Sequence, residues 1–278
     1  MALAASRDLD PTDNLILLGI SQANVRQIVA DPELQLRYAF AATMPPDDVR
    51  KPISAAALSR ALGLPLETVR RRVARLAGLG LLVGTARGLI VPGVRLDTSH
   101  HKDAIVHLEI AFRRAFSVLA AAGFFLRGDL PEPRNGPSER PVRAIGRLIG
   151  DYYLRMLAPL RACCGDPMDA IIVLFLLRAA EGQGSDVQGR MPSPIRPSEV
   201  ARAFAGSPET VRRRLRRLVD AGICQRSGPG YVVPPAVVEE VLLPRMAGPS
   251  QLNLRRLFRQ IAAVSAEELD HDAASAVV

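Results

Sequence analysis

Ser207-Pro208-Glu209-Thr210-Val211-Arg212-Arg213-Arg214-Leu215-Arg216-Arg217-Leu218 is the stretch whose reading decides the fold. Serine is a favoured helix N-cap, and proline fits the first helical position, where no N–H is needed. Val211, Leu215 and Leu218 then recur at i, i+4 and i+7, which is one apolar stripe of an amphipathic helix. With Val211 at the centre of that stripe and about 100° per residue, Glu209, Arg213, Arg216 and Arg217 fall on the opposite face, flanked by Arg212 and Arg214. The spacing predicts a helix with a cationic exposed face that stops at Gly222.

Working outward, Pro197 to Phe204 carries Val200, Ala203 and Phe204 at helical spacing, and Ala205-Gly206 breaks it, with Gly206 expected to make the tight turn. Downstream, Ile223 to Arg226, Ser227-Gly228-Pro229-Gly230 and Tyr231 to Val233 read as strand, turn and strand. Two short helices joined by a tight turn and followed by a hairpin form a winged helix-turn-helix, whose second helix enters a major groove.

The pattern occurs twice. Pro52-Ile53 through Val91-Pro92 aligns without gaps on Pro194-Ile195 through Val233-Pro234, with Pro194 lying 142 positions after Pro52. Glu67 to Arg72 repeats as Glu209 to Arg214, and Arg60, Ala61, Arg75, Leu76, Gly80 and Gly88 recur as Arg202, Ala203, Arg217, Leu218, Gly222 and Gly230. In the first copy Leu81 to Gly84 and Leu89 to Val91 are the strands. The same shift sets Arg113-Arg114-Ala115-Phe116 against Arg255-Arg256-Leu257-Phe258, so the following helix belongs to the repeat. Upstream, Asp31-Pro32 and Asp166-Pro167 each read as the start of an apolar helix, the first running through Leu36, Ala39 and Phe40, the second through Ile171, Leu174 and Phe175. The longer loop from Glu181 to Ser193, against Met44 to Lys51, absorbs the difference in spacing.

The expected fold is therefore mainly α with small β-wings, internally duplicated into two winged helix-turn-helix units, each flanked by packing helices. Residues 1–130 form the first half, with helix-turn-helix and wing at 52–92 and a packing helix at 103–126. A linker rich in Gly, Pro, Asn and Ser follows at 131–141. The second half covers 142–278, with helix-turn-helix and wing at 194–234 and a packing helix at 250–264; a helix over Glu139 to Leu160 opens it. The packing helices read as core, or as a dimer contact between chains or between the halves of a pseudodimer.

The segment Glu209-Thr210-Val211-Arg212-Arg213 resembles the recognition helix of the Crp/Fnr family of bacterial regulators, which carries Glu-x-x-Ser/Gly-Arg after a capping residue. The resemblance spans about 45 residues of each half and omits the family's cyclic-nucleotide barrel. It implies that Glu209, Arg213, Glu67 and Arg71 read bases, and that Thr210 and Thr68 contact phosphate. Arg212 and Arg70 stand where that family has a small residue.

Composition agrees with a polyanionic partner. Lys plus Arg number 36 against 28 Asp plus Glu, a formal charge of +8, which favours nucleic acid. The expected contacts to double-stranded DNA are Glu67, Thr68, Arg70, Arg71, Arg72, Arg75 and the wing residue Arg87. In the second unit they are Ser207, Glu209, Thr210, Arg212, Arg213, Arg214, Arg216, Arg217 and Arg226. Arginine binds guanine O6 and N7 bidentately, and glutamate accepts from cytosine N4.

Other chemistries lack a motif. There is no nucleophile elbow, phosphate-binding glycine loop or paired-carboxylate pattern, so no catalytic residue, cofactor or metal ligand is assigned. Cys163, Cys164 and Cys224 have neither a disulfide framework nor metal-type spacing and read as structural thiols. The start of the chain lacks a secretory signal, and the apolar run from Ala170 to Leu177 is too short to cross a bilayer. A cytoplasmic, nucleoid-associated transcription regulator is the expectation, with a plasmid-type replication initiator or an architectural winged-helix scaffold as alternatives.

Overall fold

The computed structural model describes residues 9–125, 140–181, 193–204 and 206–264. Most of the 131–141 linker, the tail from Ser265, most of the 181–193 loop and Ala205 lie outside the described residues. The protein is mainly helical with two small antiparallel sheets.

Helices α1 (Pro11–Asn24), α2 (Arg26–Ala30) and α3 (Pro32–Arg37) lead into α4 (Ala55–Leu62) and α5 (Leu66–Gly78). Strands β1 (Val83–Thr85) and β2 (Gly88–Ile90), α6 (Gly93–Leu96) and the long α7 (Ser99–Ala121) follow. Beyond the linker come α8 (Val142–Cys164), α9 (Pro167–Glu181), α10 (Pro197–Ala203) and α11 (Pro208–Asp220). Strands β3 (Gln225–Ser227) and β4 (Gly230–Val232), α12 (Pro235–Val237), a π-turn at Val238–Leu242 and α13 (Leu243–Val264) complete the order.

The α4–α5 and α10–α11 units are built alike. Their caps differ: Ser54 caps α4 by accepting from the Ala57 N–H where Arg196 stands at the N-cap of α10, and Ser207 caps α11 by accepting from the Thr210 N–H where Pro65 stands at the N-cap of α5. Val211, Leu215 and Leu218 are buried as the stripe requires, and so are Val69 and Leu76. Gly80 and Gly222 take left-handed φ values of 66° and 71° just past the helices, where a side chain would be strained. Each hairpin is tied to the segment before the first helix of its unit by one isolated β-bridge: Ile53 and Leu89 exchange both backbone hydrogen bonds, and so do Ile195 and Tyr231. A Cβ on Gly88 would meet the Ile53 carbonyl oxygen at 2.7 Å, and one on Gly230 the Ile195 oxygen at 2.7 Å. Glycine therefore recurs at both positions because another backbone passes there.

Several expected boundaries move. The first strand of each hairpin begins two residues later than expected and the second one residue earlier, leaving two-residue turns at Ala86-Arg87 and Gly228-Pro229. The left-handed turn residue of the first unit is Gly63, at φ 66°; the corresponding turn of the second unit includes Ala205, outside the described residues. Helix α13 starts at Leu243 and runs through Pro249, instead of starting at 250. The helix opened by Asp31-Pro32 ends at Arg37 and does not run through Ala39 and Phe40, because the Ala39 carbonyl accepts from the Arg143 and Ala144 N–H groups at the start of α8. That contact satisfies donors that a helix N-terminus otherwise leaves open.

One continuous apolar core joins segments from both sides of the linker, including Ile16 and Ile20 of α1, Leu58, Leu76, Leu160, Val173, Val200, Leu215 and Leu218. Helix α8, expected to open the second half, packs on α1, α2, α7, α9 and α13. A second cluster gathers Phe112 and Phe116 of α7, Ile145 and Leu148 of α8, and Leu257, Phe258 and Ile261 of α13. Among the described residues no helix is long and apolar enough to cross a membrane.

At the start of α7, His101 is half-buried, and burial, then Arg143 and His100, lower its pKa to about 4. The unfolded chain takes up this proton near pH 6.5, so the folded state loses stability as pH falls from there towards 4. Between pH 7 and 5 the loss attributable to His101 should be about 1 to 2 kcal/mol. Urea midpoints at the two pH values should lie closer together for His101→Leu than for the parent chain.

Candidate nucleic-acid interface

Helices α5 and α11 carry the same surface, and the structure divides their arginines into two classes. Arg72 and Arg75 turn towards the N-terminus of α1: Arg72 pairs with Asp10 at 2.5 Å and Asp13 at 3.2 Å, and Arg75 pairs with Asp13. In the second unit Arg214 pairs with Asp166 at 2.8 Å and Asp169 at 2.7 Å, and Arg217 with Asp169 at 3.2 Å. Asp13 is fully buried and Asp169 nearly so. Burial pushes the Asp169 carboxyl above the usual carboxylate range, against the hydrogen bond and charge of Arg214. Removing these charges from water is offset by charge-assisted hydrogen bonds, with each buried aspartate shared between two arginines.

These carboxylates were missed in the sequence, although a signal was present. Asp10-Pro11-Thr12-Asp13 and Asp166-Pro167-Met168-Asp169 share the pattern Asp-Pro-x-Asp. The first aspartate begins the helix by bonding N–H groups of its first turn, and the second reaches the arginines. In the structure Asp10-Pro11 at the start of α1, and not Asp31-Pro32, stands to α5 as Asp166-Pro167 stands to α11. The wing is fastened to the same helix: the buried Asn24 side chain donates to the Lys51 and Leu89 carbonyls and accepts from the Val91 N–H.

The second class faces outward. Arg70, Arg71, Arg212, Arg213 and Arg216 are exposed, as are Glu67, Glu209 and Thr210, while Thr68 is half-buried. Glu67 lies 3.9 Å from Arg70, and Glu209 lies 3.4 Å from Arg212 and 3.7 Å from Arg216. Such exposed pairs are worth little and exchange readily for another anion. Arg71 and Arg213 form no ion pair among the described residues. Ser207 is exposed, with its hydroxyl used as the cap of α11. Arg87 sits at the first hairpin turn and Arg226 in β3, both exposed. Arg75 and Arg217, which helical geometry placed outward, remain partly exposed, with side chains 41% and 52% accessible while ion-paired.

Cys164 and Cys224 contribute no reactive group to this surface. Burial, above all, raises Cys164 and Cys224 to about 12 and keeps them as thiols. Among the described residues no group of three or more His, Cys, Asp or Glu side chains is placed to hold a metal ion. No protein-family model, curated protein or solved structure matches the chain.

Proposed function

We propose that the protein is a sequence-specific regulator that binds double-stranded DNA through α5 and α11, the recognition helices of two duplicated winged helix-turn-helix units. The observation that carries this reading is the repeated division of the arginines. In each unit two guanidinium groups are anchored to an aspartate-headed helix, which fixes the helix orientation, while Arg71 or Arg213 is left exposed beside a glutamate. Preorganised, unpaired arginine on an exposed helix face suits bidentate recognition of guanine. Arg87 and Arg226 on the hairpins are suited to phosphate. Arg72, Arg75, Arg214 and Arg217 act chiefly by holding the helices.

The two units act within one chain as a pseudodimer. Phe116 and Phe258, 142 positions apart in the repeat, pack against each other with ring centroids at 5.3 Å. Contact between equivalent residues is what an isologous, twofold-like interface produces.

The test is a binding titration of genomic fragments, followed by salt dependence on the selected site. Arg213→Ala should lower affinity by about 1 to 3 kcal/mol and relax one base position, whereas Arg226→Ala should weaken all sequences alike and flatten the salt slope by about 1. Equal loss on every sequence for Arg213→Ala would make it a phosphate contact. No salt-dependent DNA affinity in the parent chain would reject the reading in favour of a protein scaffold.

A further inference from the structure

Away from the helix-turn-helix surfaces, a cavity of about 140 Å³ opens between α1, the Met44–Arg50 segment, α6, α7 and α8. Its wall is mostly apolar, with Leu18, Val25, Leu96, Ile105 and Leu108. Yet three buried arginines also line it. Arg50, Arg143 and Arg147 are 3%, 5% and 9% exposed.

Two of them are neutralised. Arg50 pairs with Asp47 at 3.0 Å, and Arg143 pairs with Asp97 at 2.6 Å, a carboxylate shared with Lys102. Arg147 has no carboxylate partner among the described residues; its one hydrogen bond runs to the Gln35 carbonyl at 3.4 Å. Four buried polar atoms of the lining have no hydrogen-bond partner there: Ser21 Oγ, Arg50 Nη1, His101 Nδ1 and Arg147 Nε. Burial, then Arg143 and Arg50, lower Arg147 to about 10, which still leaves it charged at neutral pH. A buried cation without a counterion is strongly unfavourable, and unsatisfied donors beside it add to the cost.

We infer that this cavity is a binding site for a small organic acid, its carboxylate held by Arg147 and the neighbouring donors and its apolar body lying against α1 and α7. One uncompensated guanidinium calls for one negative charge, and the apolar wall calls for a hydrocarbon body. The volume matches cavities of about 150 Å³ that hold benzene. Helix α1 lines the site with Leu18 and Ser21 and holds α5 through Asp13. Occupancy therefore bears on the position of the first recognition helix; that consequence rests on the DNA reading above, whereas the binding site does not.

Calorimetric melting of the full chain, without DNA, tests the site by itself. Hexanoate and benzoate, titrated at constant ionic strength, should each raise Tm saturably by roughly 2 to 4 °C at about ten times Kd. Hexanol, benzyl alcohol and inorganic phosphate should not. Arg147→Met should keep the fold, with an unliganded Tm at or above that of the parent, and lose the acid-dependent rise. Ala104→Phe, which fills the cavity from α7, should lose it too and stands in if Arg147→Met fails to fold. No saturable rise with either acid, an equal rise with the alcohols, stabilisation by phosphate alone, or a rise retained in the variants would each overturn the inference.

Discussion

Asp13→Ala should destabilise the protein by about 3 to 5 kcal/mol, the magnitude expected when one member of a buried ion pair is removed. Asp13 has no solvent exposure and bonds both Arg72 and Arg75. Without it, Arg72 keeps only Asp10, which is partly exposed. Asp169→Ala should behave alike, because Asp169 bonds Arg214 and Arg217 in the same way. Urea unfolding followed by circular dichroism measures both. The cost comes from removing the buried carboxylate that both guanidinium groups share, so Asp13→Leu combined with Arg72→Met and Arg75→Met should recover most of the stability lost by Asp13→Ala. A loss below about 1 kcal/mol for Asp13→Ala would place this pair with ordinary surface ion pairs and remove the argument that it anchors α5.

Phe258→Ala should cost about 3 to 5 kcal/mol and lower Tm by roughly 10 °C. The ring is 1% exposed and packs on Phe112, Phe125 and Phe116 at centroid distances of 4.6, 4.9 and 5.3 Å. Truncation would leave a cavity where α7, α8 and α13 meet, and the surrounding helices could close it only in part. Hydrogen exchange supplies the sharper readout. Protection should fall most in α7 and the C-terminal part of α13, since the cluster is separate from the core that contains α1 and α9. Uniform loss of protection, or an equilibrium cost below about 1.5 kcal/mol, would contradict a local hub at Phe258.

Much of the local architecture was legible in the sequence because it is set by near neighbours. Ser207-Pro208 and the Val211, Leu215, Leu218 stripe specify α11 within a dozen residues, and Gly222 marks its end. The hairpins were legible from glycine-bearing turns between short apolar runs, although their strands are displaced by a residue or two; the bridges at Ile53 and Ile195 pair with them from outside the hairpin. The Asp31-Pro32 start was also real, but the length of its helix depended on α8, whose first N–H groups take the Ala39 carbonyl.

The candidate interface was legible as a surface and not as a set of roles. A helical wheel separates apolar from cationic faces, so it found every arginine of α5 and α11. It set Arg214 on the flank and Arg213 on the outer face, yet both, like Arg72 and Arg71, counted as DNA contacts, since all are charged and lie on one short segment. Their different fates come from aspartates more than forty residues away in sequence, brought close by the packing of α1 and α9.

By itself, then, the sequence determined two pairs of helices each followed by a hairpin, their ends and the arginine-rich faces they present, because capping, turn formation and amphipathic periodicity act over a few residues. Only the tertiary structure decided which arginines are anchored and which are left outward, that the two units share one core, and that Arg147 lies buried without a carboxylate. Charge interactions depend on separation in space and on loss of water, and neither is written in the local pattern of a helix.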